Sequence, residues 1–225
     1  MIDGATKRAA RNQSATTSGD VVDGRRTRSL RTRGAVIAAV ISLQESGVLR
    51  PTAKQISETA RISIRALFQH FPTHESLTEA VMETLWRELG SDFHEATPPG
   101  PLKDRIRCFA MKRSVLLEKV APHRRAAAVL APMMTPRINR RRMQVRKKFR
   151  DEVAVVFAGE LSMLAPKASR QLMETLVCIY ESEVWEGLRR GQKLSIPDAR
   201  EVLEHLTWGQ LLFHLDQKRG AHVQV

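Results

Sequence analysis

Acidic residues are what this chain lacks most: 24 Asp and Glu stand against 37 Lys and Arg, a formal charge of +13. That imbalance favours a polyanionic partner such as nucleic acid, although a basic surface on any soluble protein has the same count. Cysteine is scarce too. Cys108 and Cys178 stand far apart in apolar stretches, which excludes a disulfide framework and a CxxC pair. They read as reduced, buried thiols. The longest apolar run, residues 35–41 and neighbours, falls far short of the roughly 20 residues that span a bilayer, and the N-terminus shows no secretory apolar region. Neither export nor membrane insertion is expected, which leaves a cytoplasmic protein. Catalytic signatures are missing as well: there is no GxSxG, HExxH, P-loop, GxGxxG or cluster of Cys and His. His70 and His74 have metal-pair spacing, but Pro72 between them denies them a common helix. No enzyme, no metal and no cofactor are expected.

What the chain has is helical periodicity. Sustained period-two alternation is absent, so the fold class is all-α, and no solenoid-length repeat is found. Residues 1–29 hold Gly, Ser, Thr, Asp and scattered arginines with almost no apolar periodicity, the composition of a disordered basic arm. From Leu30, Val36, Ile37, Val40, Ile41 and Leu43 recur at helical spacing up to a stop at Gly47. Thr52 and Gln55 form the capping box of a short second helix ending near Ala60. Ser63 is placed to cap a third, which must end before Pro72, and Thr73 to cap a fourth carrying Leu77, Val81, Leu85 and Trp86. Beyond the Pro98 to Pro101 cluster, Pro122, Pro132, Pro136, Pro166 and Pro197 divide the rest into helices at about 101–120, 122–131, 136–159, 166–190 and 196–217.

A helix, a three-residue corner and a second short helix are the parts of a helix-turn-helix, whose second helix lies in the major groove of DNA. Ile56, Ala60, Ile62 and Leu67 supply the apolar contact between the two helices. Ile64, Arg65, Phe68 and Gln69 then share the opposite face by their i, i+1, i+4, i+5 spacing. Arg and Gln can each pair bidentately with a purine edge, and the apolar pair can meet thymine methyls or the sugar backbone. The bland alternative is a helical corner in an unrelated all-α protein, with Arg65 and Gln69 merely solvated.

From about Arg33 to Val81 the chain resembles the N-terminal domain of TetR-family transcriptional regulators. The residues that carry the likeness are Gly47, Thr52, ARIS at 60–63, FQHF at 68–71 and HESL at 74–77. The resemblance implies a helix-turn-helix DNA-binding domain at 30–76, following the arm at 1–29, and a helical effector-binding and dimerisation domain at 77–225. It also implies a homodimer on a palindromic operator in double-stranded DNA, and a repressor released by a small-molecule effector of unknown identity. The DNA-binding residues so assigned are Arg28, Arg31, Arg33, Thr52, Arg61, Ser63, Ile64, Arg65, Phe68, Gln69 and His74. Three departures stand out: Arg61 occupies a corner position where the family usually has Gly, Phe68 replaces a phosphate-donating Tyr, and His74 replaces a phosphate-contacting Lys. Arg61 and the arm cations Arg25, Arg26, Arg28, Arg31 and Arg33 can compensate electrostatically.

Elsewhere, residues 137–150 set Ile138, Val145 and Phe149 on one face among many cations. Block charge of this kind is usually a solvated face, the alternatives being a second phosphate contact or an acidic ligand or protein. Trp86, Phe109, Met133, Tyr180 and Trp185 are candidates to line an effector pocket, and equally candidates for simple core. The last two helices carry surplus apolar residues suited to a dimer interface, with Leu176, Val184, Val202, Leu206, Trp208 and Phe213 as contacts. The competing function is an all-α interaction scaffold or small-molecule-binding protein whose arginines meet acidic proteins or RNA.

Overall fold

The computed structural model describes residues 17–92, 99–129 and 135–221. Ten α-helices and no strand occur among the described residues: α1 Thr17–Glu45, α2 Ala53–Ala60, α3 Ile64–His70, α4 His74–Asp92, α5 Leu102–Val129, α6 Pro136–Val156, α7 Ala158–Ser162, α8 Pro166–Ile179, α9 Ser182–Glu186 and α10 Ile196–Ala221. A π-helical turn, Gly187–Gly191, follows α9.

Two apolar clusters organise the helices. Val36 and Val40 of α1, Ile56 of α2, Leu67 of α3, Phe71, and Leu77, Val81 and Leu85 of α4 form the first, which Leu116 of α5 closes. The second is centred on Phe109, whose ring meets Tyr180 edge-on at 4.8 Å and Phe157 edge-on at 5.7 Å. Leu172 and Leu176 of α8, Trp185 of α9 and Leu203 and Leu211 of α10 complete it. Because α5 contributes to both clusters, it ties the first four helices to the rest. At its start Arg105 makes a two-pronged ion pair with the buried Glu160 of α7. Arg105 also donates to the Val156 carbonyl at the end of α6, so one side chain clamps three elements.

The structure corrects several expectations. Residues 17–29, read as a disordered arm, are the first turns of α1, and residues 1–16 lie outside the described residues. In the later part of that extension Arg26, Arg28 and Arg31 are all exposed. Pro122 does not end a helix: α5 runs through it. Burial of Leu117 and Ala121 before it and of His123 and Ala126 after it holds both sides in line against the missing hydrogen bond. The single helix expected over 166–190 is broken after Ile179 instead. In a continuous helix residues 180 and 185 point roughly 140° apart, and the break allows Tyr180 and Trp185 to enter the same core, where they are 0% and 1% exposed. Cys178 is exposed and Cys108 only half-buried, both as free thiols. Apolar neighbours in sequence do not report which side of a helix a residue takes.

Candidate nucleic-acid interface

The corner between α2 and α3 is built entirely from local hydrogen bonds. At the start of α2, the Thr52 N–H donates to Gln55 Oε1 at 2.9 Å, and the Gln55 N–H returns a bond to Thr52 Oγ1 at 3.3 Å. At its end Arg61 takes the left-handed conformation, φ 54° and ψ 46°. The Arg61 N–H then reaches the Glu58 carbonyl and the Ile62 N–H the Ser57 carbonyl, the Schellman pairing that satisfies free helix carbonyls. Ile62 packs against the first cluster, as the apolar residue that follows this motif commonly does.

Ser63 opens α3, its hydroxyl accepting from the Ala66 N–H at 3.1 Å. Seven residues are too few to hold a helix in isolation. Tertiary contacts hold it: Leu67 and Phe71 are 3% and 2% exposed in the first cluster. With those two facing inward, Ile64, Arg65, Phe68 and Gln69 are left on the outer face, all exposed. Ile64 is 47% and Phe68 52% exposed, an apolar pair flanked by two side chains able to pair with base edges.

The remaining candidates divide. Arg61 and Ser63 are exposed at the corner beside this face, and Arg28 and Arg31 are exposed on α1. The Thr52 hydroxyl is hydrogen-bonded to Gln55. Arg33 is exposed but already engaged: Nη1 donates to the His70 carbonyl at 3.2 Å, and the guanidinium lies 4.3 Å from the centre of the Phe71 ring. It therefore closes the C-terminal end of α3, a role that linear spacing did not suggest. His74 is half-buried and lines a crevice of about 20 Å³, room for about one water, together with Gln44, Pro51, Leu77 and His123.

That crevice lies at the joint between α1, α2 and α4 on one side and α5 on the other. His123 Nδ1 of α5 is hydrogen-bonded to Gln44 Oε1 of α1 at 2.9 Å. Burial lowers the His123 pKa below its usual value, outweighing the Glu45 carboxylate 3.9 Å from Nε2. Neither partner of this joint was singled out in the sequence, where Gln44 and His123 stand 79 positions apart.

In comparison with solved structures, the chain matches the crystal structure of a transcriptional regulator from Rhodococcus sp. Rha1, with a TM-score of 0.58 and 19% identity over 82% of this chain and 96% of that one. The fold is that of a known transcriptional regulator. No protein-family model and no curated protein matches the chain.

The residues considered for an effector pocket are placed differently from one another. Phe109, Tyr180 and Trp185 are fully buried and packed together as core. Trp185 Nε1 donates to Glu118 at 2.9 Å, and the Tyr180 and Thr207 hydroxyls are bonded at 2.9 Å, which fixes both rings. Burial raises the Tyr180 pKa well above its ordinary value. Trp86 is half-buried on α4, and Met133 lies outside the described residues. Beside this core the Arg113 guanidinium sits 3.7 Å from the centre of the Phe149 ring, and loss of solvent lowers its pKa to about 10 despite Glu152 and Glu181 nearby. It stays protonated at neutral pH.

Of the residues considered for a dimer interface, Leu176 is fully buried in its own chain, and Val184 and Val202 are half-buried. Leu206, Trp208 and Phe213 are exposed along α10, and Leu212, four residues beyond Trp208, joins them. Gly209, with open space around it, lies on the same side. The result is an exposed apolar face next to the polar residues Gln171, Glu174 and Thr175 of α8.

Proposed function

We propose that the protein is a sequence-specific, double-stranded-DNA-binding transcriptional regulator of the TetR type, acting in the cytoplasm as a homodimer on a palindromic operator. The observation that carries this reading is the outer face of α3, where Ile64, Arg65, Phe68 and Gln69 stand exposed on a helix whose inner side packs in the first cluster and whose ends are closed by Ser63 and Arg33. Two exposed apolar side chains on a seven-residue helix are unfavourable in water and become favourable against thymine methyls and sugars. The exposed cations Arg61, Arg28 and Arg31, the +13 charge and the similarity in fold to a transcriptional regulator support the same partner. Dimerisation is supported by the exposed apolar face of α10, since one short reading helix covers too little DNA for useful selectivity and a two-fold dimer doubles it. For repression and its release by a small molecule, the support is the resemblance of residues 33–81 to the TetR family.

The test is selection of bound fragments from a random duplex pool, followed by titration under excess competitor. A preferred palindrome is the expected result, and Arg65→Ala should then cost about 1 to 3 kcal/mol on it while weakening preference at one base position per half-site. An equal loss on every sequence would reassign Arg65 to a phosphate. Salt-sensitive binding with no sequence preference would instead support the scaffold for acidic partners.

A further inference from the structure

The cations of α6 are not distributed as helix stability would have them. A helix N-terminus carries the positive end of the macrodipole and favours acidic residues, yet the first turn of α6 has none and its first two turns contain Arg137, Arg140, Arg141 and Arg142. The Thr135 hydroxyl already caps the Ile138 N–H, so the arginines do not serve as the cap. Farther along, Arg146 meets Glu181, Lys147 meets Asp151 and Arg150 meets Glu174. Arg137 and Arg140 are exposed and have no ion-pair partner among the described residues. The uncompensated charge is therefore concentrated at one end of α6.

That end lies against the first half of α4, the helix that follows α3 in the chain. Thr135 Oγ1 donates to Glu79 of α4, only five residues after His74 opens that helix and roughly 7 to 8 Å along its axis. Arg137 follows Thr135 by two positions and Arg140 lies one turn later on the same face. We propose that Arg137 and Arg140 form an auxiliary contact to the phosphate backbone of the DNA flanking each half-site, extending the protein's footprint past the bases read by α3. The inference rests on the DNA-binding reading and adds a second, sequence-independent surface to it. A polyanion fits this face better than an acidic peptide, because the charge is set at the level of the first turns of α4 and falls off where Glu181, Asp151 and Glu174 neutralise the helix.

The experiment titrates the full-length chain against its selected operator at several salt concentrations, on a duplex with flanking base pairs and on one trimmed to the two half-sites. For Arg137→Ala/Arg140→Ala the slope of log affinity against log salt should become shallower by about 0.9 for each phosphate that is no longer neutralised, on the flanked duplex alone, with base preference unchanged. Lys148→Ala, which removes an exposed charge farther along the same helix, should leave the slope as it is. An unchanged slope in the double variant while the wild type still selects its operator overturns this auxiliary surface alone. So does an equal change in Lys148→Ala, which would reduce the effect to net charge. A wild type that binds no duplex overturns the DNA reading and the auxiliary surface together.

Discussion

Arg61 and Gly47 occupy the same place in two helix ends. Gly47 closes α1 with φ 96°, its N–H on the Gln44 carbonyl and the Val48 N–H on the Leu43 carbonyl, and Arg61 repeats that pairing at the end of α2 with φ 54°. Glycine takes the left-handed region freely, whereas an L side chain crowds its own carbonyl there at a cost of roughly 1 to 2 kcal/mol. Arg61→Gly should therefore stabilise the protein by about 0.5 to 1 kcal/mol, the relief being partly offset by the greater freedom of glycine in the unfolded chain. Urea unfolding monitored by circular dichroism checks this, and a loss of stability would show that the exposed Arg61 side chain makes a contact of equal worth. The same variant should bind DNA with a shallower salt dependence if the proposed interface is right, because a cation at the corner has gone. The resemblance to the family marked Arg61 as standing at a position where Gly is usual, and the left-handed conformation found there is the physical reason for that preference. That Arg33 would close α3 was not legible, because its partners His70 and Phe71 lie more than 35 positions away.

At the scale of elements, α1 and α5 are joined where the buried His123 meets Gln44. The groups around it are Glu45 from α1, Glu88 and His74 from α4, and Arg125 from α5 itself. Burial depresses the folded-state pKa of His123, so the unfolded chain binds this proton more readily than the folded one. The contribution is fully present above the unfolded pKa, about 6.5 for histidine, and is lost as pH falls from there through the lower folded value. Unfolding free energy measured from pH 8 to pH 5 should decline over the acid half of that range, and His123→Gln should flatten the decline. A profile unaffected by the substitution would place the proton sensitivity in another group. Element starts were the most legible feature here: Thr52, Ser63 and Thr73 all cap as their positions suggest, because capping is satisfied by atoms three residues away. Breaks set by the core were hidden. Pro122 is overridden by packing, and the chain turns after Ile179 with no Gly or Pro there to announce it.

For the whole molecule, the apolar face of α10 stands exposed among the described residues. Leu206 is 42% exposed and Phe213 55%, and they lie seven residues apart on one side of the helix. In the proposed dimer this face meets its own copy across a two-fold axis. Leu206→Glu/Phe213→Glu should then sediment as a monomer that keeps its helices, and its affinity for the palindromic operator should fall at least tenfold, about 1.4 kcal/mol, toward that of a single half-site. A variant that stays dimeric would move the interface elsewhere, and a wild type that is monomeric at micromolar concentration would remove the dimer from the proposal.

The all-α class, the order of the first four helices, the capped starts of α2, α3 and α4 and the outward set Ile64, Arg65, Phe68 and Gln69 were determined by the sequence alone, because each depends on atoms within about one or two helical turns. Tertiary structure decided what long-range packing controls: the passage of α5 through Pro122, the break between α8 and α9, the burial of Phe109, Tyr180 and Trp185 as solid core, and the withdrawal of Leu176 from the surface. It also decided which arginines are engaged and which face solvent without an ion-pair partner. Arg33, Arg105 and Arg150 find partners 24 to 55 positions away. A linear pattern carries charge and spacing but not the distance between helices, and that distance determines whether a cation is already engaged within its own chain.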